Sequence, residues 1–293
     1  MNTFAPSLSS TSNAPPQKRP DIETLIKVKI PPLEGTILKL AELLRDINVS
    51  TRQIADAVGC DPVLAARVLR LANSSFYCRL STHTSLLKSI DAIGTKSIYD
   101  MVMLGAMSDR FAKEIGNTVV GRTLWQHSIA VGLVSREISS ELGLRGVEEA
   151  FACGLLHDIG KILLFSADPN GFSALQEQKN EQEMMAAEES AYGFDHATLG
   201  GYLGQKWRIP ESICSVIIHH HNPARSTIST VMAHIVNAAD FITNSHGCGL
   251  RYDPNVSVFE SNSIQYLNLT MENINNAWER IHDPLAEVIG AFR

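Results

Sequence analysis

"FACGLLHDIGKILLF", residues 151–165, is an almost wholly apolar stretch that carries His157, Asp158 and Lys161 in its middle. Leu, Ile, Phe, Ala and Cys build protein cores, whereas a carboxylate buried without a partner is energetically costly. The segment is therefore predicted to lie in the core, and its adjacent His-Asp pair requires a compensating partner there.

The segments around this stretch carry helical periodicity. "LEGTILKLAELLRD" has a stripe of apolar residues spaced as on one helix face, at Leu33, Ile37, Leu40 and Leu44. Ser50 and Gln53 have the spacing of a capping box, and Asp61 followed by Pro62 is typical of a helix start. No segment alternates as a β-strand does, so the sequence predicts an all-α fold.

The two ends of the chain differ from its middle in composition. Residues 1–20 are rich in Ser, Pro, Asn and Thr, and we expect a disordered tail. The stretch from His246 is polar up to Ile274 and ends in an amphipathic helix, "NNAWERIHDPLAEVIGAF". Residues 246–293 are accordingly interpreted as a C-terminal helical extension, which could be a cap, a dimer element or an addition specific to this domain.

The overall composition is that of a soluble globular protein. The 293 residues are 44% hydrophobic and 19% charged, and the net charge of −6 disfavours sequence-independent binding to nucleic acid. There is no secretory signal, and no run approaches the roughly 18 apolar residues of a membrane span. Five scattered cysteines without CxxC spacing predict a reducing, cytoplasmic location; they are Cys60, Cys78, Cys153, Cys214 and Cys248.

Residues 52–73 are also compatible with a helix-turn-helix, because two short amphipathic segments flank Val58-Gly59-Cys60. The second segment offers Arg67 and Arg70 but is otherwise rich in Leu and Val, as a core helix is. Two such helices are common in any bundle, so we favour the bundle interpretation.

Imidazoles and carboxylates recur in apolar, helix-forming segments. The set comprises His127, His157, Asp158, His196, His219, His220, His221 and Asp240. Each alone is compatible with a satisfied polar residue, and the triple His with a solvated helix end. Together they indicate a divalent metal, which would compensate the buried carboxylates and bind several imidazoles at once. Imidazole with carboxylate suits Fe, Mn, Zn, Co or Ni.

The pairs of adjacent residues suggest two ions. Neighbours on a helix point about 100° apart, so His157 and Asp158 are not expected to chelate one ion together. The same argument applies to His220 and His221. Asp158 could then bridge two neighbouring ions.

The order His…His-Asp…His…His-His…Asp resembles the HD superfamily of metal-dependent phosphohydrolases. More specifically, the chain resembles the HDOD (HD-related output domain) proteins of bacterial signalling. The resemblance covers roughly residues 22–245 and includes "IPPLEGTILKLAELL", "DPVLAARVLRLANSSFY", "LLKSIDAIGTKSI", "LWQHSIAV", "GLLHDIGKILL", "GFDHATLGGYLGQKWRIPESI" and "IIHHHNP".

The resemblance implies an HDOD domain over residues 21–245, with helical lobes at about 21–120 and 121–245 and the metal site in the second lobe. It implies one or two divalent ions, with Fe or Mn expected in preference to Zn, Ni or Co. The implied ligands are His127, His157, Asp158, His196, His220, His221 and Asp240. Lys161 matches the lysine of the HD-x-G-K pattern and could contact a phosphate; if the protein is an enzyme, Asp158 and Lys161 are its candidate catalytic residues.

The sequence departs from the related HD-GYP phosphodiesterases at three places. Asn222-Pro223 stands where Gly-Tyr-Pro would follow the His pair, and the interval from His221 to Asp240 is short. Position 123, one turn before His127, is Thr and not a carboxylate. These differences argue against hydrolysis of cyclic dinucleotides but not against metal binding.

Two functions of different classes follow. The first is a regulatory output or binding module with a metal site, partnered by a signalling protein or a nucleotide ligand. The second is an active metal-dependent phosphohydrolase acting on a phosphodiester or a nucleotide. A helix-turn-helix regulator is the third possibility. No receiver, kinase, GGDEF or EAL segment fits in this chain, no membrane or nucleic-acid partner is expected, and the sequence predicts no oligomeric state.

Overall fold

The computed structural model describes residues 40, 43, 46, 48–73, 85–95, 98, 118–144, 147–178, 180–207, 209–250, 258 and 261–291. Over these residues the chain forms thirteen α-helices and one 3-10 turn, with no β-strand, which confirms the predicted all-α fold. The predicted tail at residues 1–20 lies outside the described residues. The division into two lobes stays a prediction.

The described helices are numbered in chain order. The first seven are α1 (Thr51–Gly59), α2 (Pro62–Ala72), α3 (Leu86–Ile93), α4 (Val119–Glu141), α5 (Val147–Leu156), α6 (Ile159–Ala167) and α7 (Pro169–Leu175). The remaining six are α8 (Glu181–Tyr192), α9 (His196–Lys206), α10 (Glu211–His219), α11 (Thr230–Ser245), α12 (Asn262–Tyr266) and α13 (Met271–Ala291). The 3-10 turn, Pro223–Arg225, precedes α11.

Side-chain caps fix several helix starts, as the sequence predicts. Ser50 accepts from the backbone N–H of Gln53 at 3.3 Å, and the Gln53 side chain accepts from the N–H of Ser50 at 3.0 Å, which completes the capping box of α1. Asp61 accepts from Leu64 N–H at 3.1 Å at the start of α2. These bonds satisfy N–H groups that have no partner within the helix.

The long helix α4 lies at the centre of the packing and contacts α5, α11 and α13. Its pairing with α5 is close: a Cβ added to Gly154 would meet the carbonyl oxygen of Val131 and the Cα of Gly132, each at 2.7 Å. Only a residue without a side chain allows the two backbones to approach this far. The contact holds the end of α5 firmly against α4.

The opening stretch of sequence is buried as predicted. Within the described residues one helical stretch, Glu149–Ala167, is long and apolar enough to cross a membrane, with a mean hydropathy of 1.4. We expected no run of that kind. However, 83% of the apolar window is buried inside the protein, where it packs as a core segment. Cys153 and Cys214 are buried free thiols, as predicted for small core residues.

The C-terminal helix α13 packs on α4. Its apolar face, which includes Ile274, Ala277 and Ile281, is buried. At the edge of this contact, Arg280 pairs with Glu141 at 2.6 Å. Residues 271–291 therefore cover a helix of the core, although the domain boundary at residue 245 stays a prediction.

Helices α1 and α2, the candidate helix-turn-helix, turn their apolar faces inward. Ile54, Val58, Leu64 and Val68 are buried. Arg70 of α2 is exposed and reaches the carbonyl oxygen of Gly290 in α13 at 3.4 Å. The burial supports the interpretation of these helices as part of the bundle.

Candidate metal centre

The seven residues predicted as ligands come from distant parts of the chain and lie around one centre. His127 is in the middle of α4, and Asp240 is in α11. His157 and Asp158 form the turn between α5 and α6. The other three are His196, the first residue of α9, and His220 and His221, which follow α10.

One group of donors consists of Asp158, His196, His220 and His221, whose ligand atoms all lie within 4.8 Å of one another. The Nε2 atoms of His196 and His221 are 2.8 Å apart. Oδ1 of Asp158 is 3.5 Å from Nε2 of both His196 and His220. These distances allow all four residues to bind one ion.

A second group consists of His127, His157 and Asp158, also within 4.8 Å of one another. Oδ2 of Asp158 is 3.4 Å from His157 Nε2 and 3.9 Å from His127 Nε2. Oδ1 of Asp240 is 3.0 Å from His127 Nε2 and 4.0 Å from His157 Nε2. The two oxygens of Asp158 therefore face different groups, as a carboxylate that bridges two ions would.

Adjacent residues, which the sequence does not predict to share an ion, lie within reach of one another in the donor groups. That they bind separate ions stays a prediction. His157 and Asp158 belong to one donor group, and so do His220 and His221, whose ring centroids are 3.9 Å apart. The argument assumed that each pair lies within a helix. Both pairs lie at helix ends, where the turn lets neighbouring side chains point to the same side.

The ring nitrogens on the far side of four imidazoles are held by fixed acceptors at 2.7 Å. These pairs are His127 with the carbonyl of Cys248, His157 with that of Gly154, His220 with that of Ile217, and His196 with the carboxylate of Glu188. Because a carbonyl or carboxylate oxygen accepts, Nδ1 carries a proton and Nε2 faces the centre. This arrangement is the usual support of a metal-bound imidazole.

Several buried atoms at the centre have no hydrogen-bond partner among the described residues. They are His157 Nε2, His220 Nε2 and Asp158 Oδ1. A buried polar atom without a partner costs about 1–3 kcal/mol. All three face inward within the donor groups, so the residues present fit a divalent metal.

The charges at the centre keep its carboxylates ionised. Burial raises the pKa of Asp158, but the charges of His157 and Lys161 outweigh it and hold the pKa well below its usual value. Burial and the nearby charge of His221 lower the pKa of His220 to about 3. His220 is therefore neutral near pH 7 and available as a ligand.

Lys161 lies between two carboxylates. Its Nζ is 3.0 Å from Asp158 Oδ2 and 2.6 Å from Glu181 Oε1. Burial lowers its pKa, but the charges of Asp158, Glu181 and Asp240 outweigh burial and raise it. The phosphate contact suggested by the resemblance stays a prediction, and in this structure the ammonium group is paired within the protein.

The sequence analysis missed two carboxylates of α8. Glu181 Oε1 is 3.3 Å from His221 Nε2, and Glu188 is fully buried against His196. Both belong to the acidic segment "EQEMMAAEES", whose composition alone is typical of a solvated helix. In addition, the side-chain amide of Asn244, one turn after Asp240, donates a hydrogen bond to Asp240 Oδ1 at 2.7 Å.

Two further histidines, His234 and His246, lie outside the centre. His234 binds the hydroxyl of Ser263 at 2.9 Å and stacks on Tyr266. His246 stacks on Trp278 with ring centroids 4.2 Å apart.

A small pocket, partly open to solvent, leads to the centre. Its lining is mainly polar and comprises Leu124, His127, Asp158, Lys161, Gln176, Glu181, Asn244 and Leu250. Access from solvent thus passes beside Asp158 and the Lys161–Glu181 pair.

An all-helical fold with histidines and aspartates gathered at one buried centre defines an HD-type domain. The sequence model of the HDOD domain matches residues 30–223, and the chain belongs to the HDOD family.

Curated relatives share only part of their length with this chain. An uncharacterised protein of Treponema pallidum is 22% identical over 196 residues, which is 66% of this chain and 38% of that protein. Ribonuclease Y of Fusobacterium nucleatum is 28% identical over 162 residues, which is 54% of this chain and 26% of that enzyme. The chain therefore spans well under half of either relative.

Solved structures share the fold over most of the chain. An HDOD domain protein of unknown function from Geobacter sulfurreducens has a TM-score of 0.74 at 23% identity, covering 93% of this chain and 98% of its own. A protein of Shewanella amazonensis provisionally named a phosphohydrolase has a TM-score of 0.74 at 21% identity, covering 92% and 98%. A provisionally named signal transduction protein of Marinobacter aquaeolei has a TM-score of 0.67 at 20% identity. The match covers 94% of this chain and 61% of that protein.

Proposed function

We propose that this HDOD protein is a regulatory output or binding module of bacterial signal transduction, built around a divalent-metal centre. The observation that carries the proposal is the buried group of inward-facing donors, with unpartnered atoms on His157, His220 and Asp158. A scaffold that bound no ion would leave these atoms unsatisfied at an energetic cost.

The ion or ions would be held by the two donor groups that meet at Asp158. Mixed imidazole and carboxylate donors suit Fe or Mn, with Zn, Ni or Co as alternatives. The fixed acceptors behind four of the imidazoles would orient the rings before an ion binds.

Two observations favour regulation over hydrolysis. The interval between His221 and Asp240 lacks the substrate loop of the HD-GYP enzymes. Lys161, the candidate phosphate contact, is paired with Asp158 and Glu181. The likeness to a provisionally named signal transduction protein is consistent with a signalling partner or a nucleotide ligand, and the free cysteines with a location in the cytoplasm.

The second candidate function is hydrolysis of a phosphodiester or a nucleotide. It is favoured by the bridging position of Asp158 and by relatives named ribonuclease Y. A bound divalent metal supplies two kinds of chemistry, activation of water and polarisation of a phosphoryl oxygen. Lys161 would then have to leave Glu181 in order to contact the substrate.

The test compares wild type with Asp158→Asn in three measurements. Metal analysis of the purified protein establishes whether the centre holds stoichiometric Fe, Mn or Zn. The second measurement is hydrolysis of a phosphodiester and nucleotide panel supplied with Mn or Fe, and the third is rescue of a signalling phenotype in cells.

A metal-loaded wild type that signals without turnover supports the regulatory function. Rapid turnover that is lost together with signalling in Asp158→Asn identifies an enzyme instead. An inert, metal-free wild type whose folded Asp158→Asn variant still signals would mean that the centre is vestigial.

A further inference from the structure

We propose that Glu181 is an internal ligand that completes the donor group of Asp158, His196, His220 and His221 and closes this position to external anions. The inference rests on the proposed metal centre. It adds a carboxylate that neither the sequence motif nor the family resemblance assigns, and it gives that carboxylate a blocking role.

The position of the Glu181 carboxylate meets the distance requirement. Two donors that each bind one ion at about 2.0–2.2 Å can be separated by at most about 4.4 Å. Glu181 Oε1 is 3.3 Å from His221 Nε2 and 3.9 Å from His196 Nε2. Both separations fall within the limit.

Helix α8 is held in the orientation that aims Glu181 at the centre. Glu188 accepts two hydrogen bonds from His196, from the backbone N–H at 2.9 Å and from Nδ1 at 2.7 Å. Residues 181 and 188 are seven apart, two turns of a helix, and so share a face. The contact that orients His196 therefore also directs Glu181 toward His196 and His221.

The start of α8 is capped without the Glu181 side chain. Asn180 accepts from the backbone N–H of Glu183 at 2.9 Å, and this bond forms the N-cap. The Glu181 side chain instead extends into the site, where its Oε1 lies 2.6 Å from Lys161 Nζ and 3.3 Å from His221 Nε2. Glu181 is thus placed as a donor to the centre.

A carboxylate in this position would compete with any external anion. It already contacts Lys161, the cation that a phosphate would use, and it lines the pocket that leads to the centre. An external phosphate would have to displace Glu181 from both the lysine and the ion. A closed position of this kind suits a centre used for structure and regulation rather than turnover.

The experiment measures Mn²⁺ binding by chelator-treated protein, using Glu181→Gln and the control Glu189→Gln. Glu189 is exposed on the same helix, so the control removes the same charge outside the centre. We expect Glu181→Gln to weaken Mn²⁺ binding at least tenfold and Glu189→Gln to change it less than twofold. With Mn²⁺ bound, we expect inorganic phosphate to bind at least tenfold more tightly to Glu181→Gln than to wild type.

A second variant separates a ligand from a simple counter-ion of Lys161. Glu181→Asp keeps the charge, which the flexible lysine can follow, but withdraws the carboxylate from the ion. If Glu181 is a ligand, Glu181→Asp also loses Mn²⁺ affinity while the thermal midpoint of its metal-free form stays close to that of wild type. Wild-type Mn²⁺ affinity in both Glu181 variants would overturn the inference.

Metal binding by wild-type protein distinguishes failure of the proposed metal centre from failure of the proposed role of Glu181. Wild-type protein that binds no Mn²⁺, Fe²⁺ or Zn²⁺ would overturn the metal centre, and the role of Glu181 with it. A loaded wild type with unchanged Glu181 variants would overturn the role of Glu181 alone.

Discussion

Asp158 shows how one buried carboxylate can organise a site. It is 2% exposed, and within 3.5 Å it has donors from both sides of the centre as well as the ammonium of Lys161. Its two oxygens point to different donor groups. The free energy cost of burying its charge is thus offset by several partners at once.

The first prediction concerns the loss of this charge. We expect Asp158→Asn to weaken binding of Mn²⁺ or Fe²⁺ by about 100-fold or more, because changes in residues behind a ligand already cost about 10–100-fold. Metal titration of chelator-treated protein measures the affinity. Asp91→Asn, on the exposed face of α3, is the control and should bind as wild type does. Equal affinities in both variants would contradict a bridging role.

The buried pair of Asp240 and His127 makes stability depend on pH. Burial raises the pKa of Asp240, but the hydrogen bond and charge of His127 lower it from 3.8 to about 2. Burial lowers the pKa of His127, but Asp240 and Asp158 outweigh it and raise the pKa above 6.5. The contribution of Asp240 to the free energy of unfolding is lost as the pH falls through the pKa of Asp240 in the folded protein. The contribution of His127 is lost as the pH rises through the pKa of His127 in the folded protein.

We therefore expect Asp240→Asn to destabilise the metal-free protein most between about pH 4 and pH 6.5, by on the order of 2 kcal/mol. The difference between the unfolding free energies of the variant and of wild type should shrink as the pH falls toward about 2, and again as the pH rises above 6.5. Urea unfolding of both proteins at a series of pH values measures it. A difference that does not vary with pH would show that the pair is not ionised.

Residues of the centre differ in how visible they are in the sequence. An imidazole or an aspartate in a mainly apolar helix, such as His127 or Asp240, stands out because most of its neighbours are apolar. Glu181 and Glu188 lie in an acidic helix, where carboxylates are ordinarily solvated. Their roles depend on which face of α8 meets the centre, and that is decided by packing between distant segments.

At the scale of elements, α6 and α9 approach so closely that no side chain fits between them at Gly160. A Cβ there would lie 1.9 Å from the carbonyl oxygen of His196. This contact joins the helix that follows Asp158 to the helix that begins with His196. The spacing of two donors therefore depends on a residue that has no side chain.

We expect Gly160→Ala to force these helices apart, to destabilise the protein by about 1–3 kcal/mol, and to lower its affinity for metal. Gly290→Ala in α13 is the matched control, because nothing lies within 4 Å of its added Cβ. It should be neutral or more stable by up to about 1 kcal/mol. Thermal unfolding and metal titration measure both variants, and a fully stable Gly160→Ala would refute the close contact.

The helix starts could be predicted from local chemistry, whereas the interruption between α5 and α6 could not. Ser50 and Gln53 carry their own capping signal, because the partners are three residues apart. The stretch 151–165 contains no proline and is apolar on both sides of His157, so its periodicity continues through the turn. That turn forms where the donors from α4, α9 and α11 meet. Because these helices are distant in the sequence, no local sequence pattern predicts the turn.

At the scale of the whole molecule, α13 connects the C-terminal region to the helix that carries His127. Ile281 of α13 is fully buried, and the helix packs along α4. Arg280 links the two helices at their edge through Glu137 and Glu141. Helix α13 thus packs against the core along α4.

We expect Ile281→Ala to lower the free energy of unfolding by about 2–5 kcal/mol, because it leaves a cavity between α13 and α4. Glu279→Ala changes an exposed residue of the same helix and should stay within about 0.5 kcal/mol of wild type. Chemical denaturation of the two variants provides the comparison. A small effect of Ile281→Ala would mean that α13 is only loosely attached.

The pairing of Lys161 with Asp158 and Glu181 has a consequence for how the protein matures. Because the ammonium group of Lys161 already offsets part of the negative charge of Asp158 and Glu181, the centre can form before an ion binds. Folding and metal loading can then be separate events, with the apo-protein waiting in a nearly finished shape. The element that finally occupies the centre would be set by what the cell supplies after synthesis, and starvation for one metal would change the occupant without unfolding the chain.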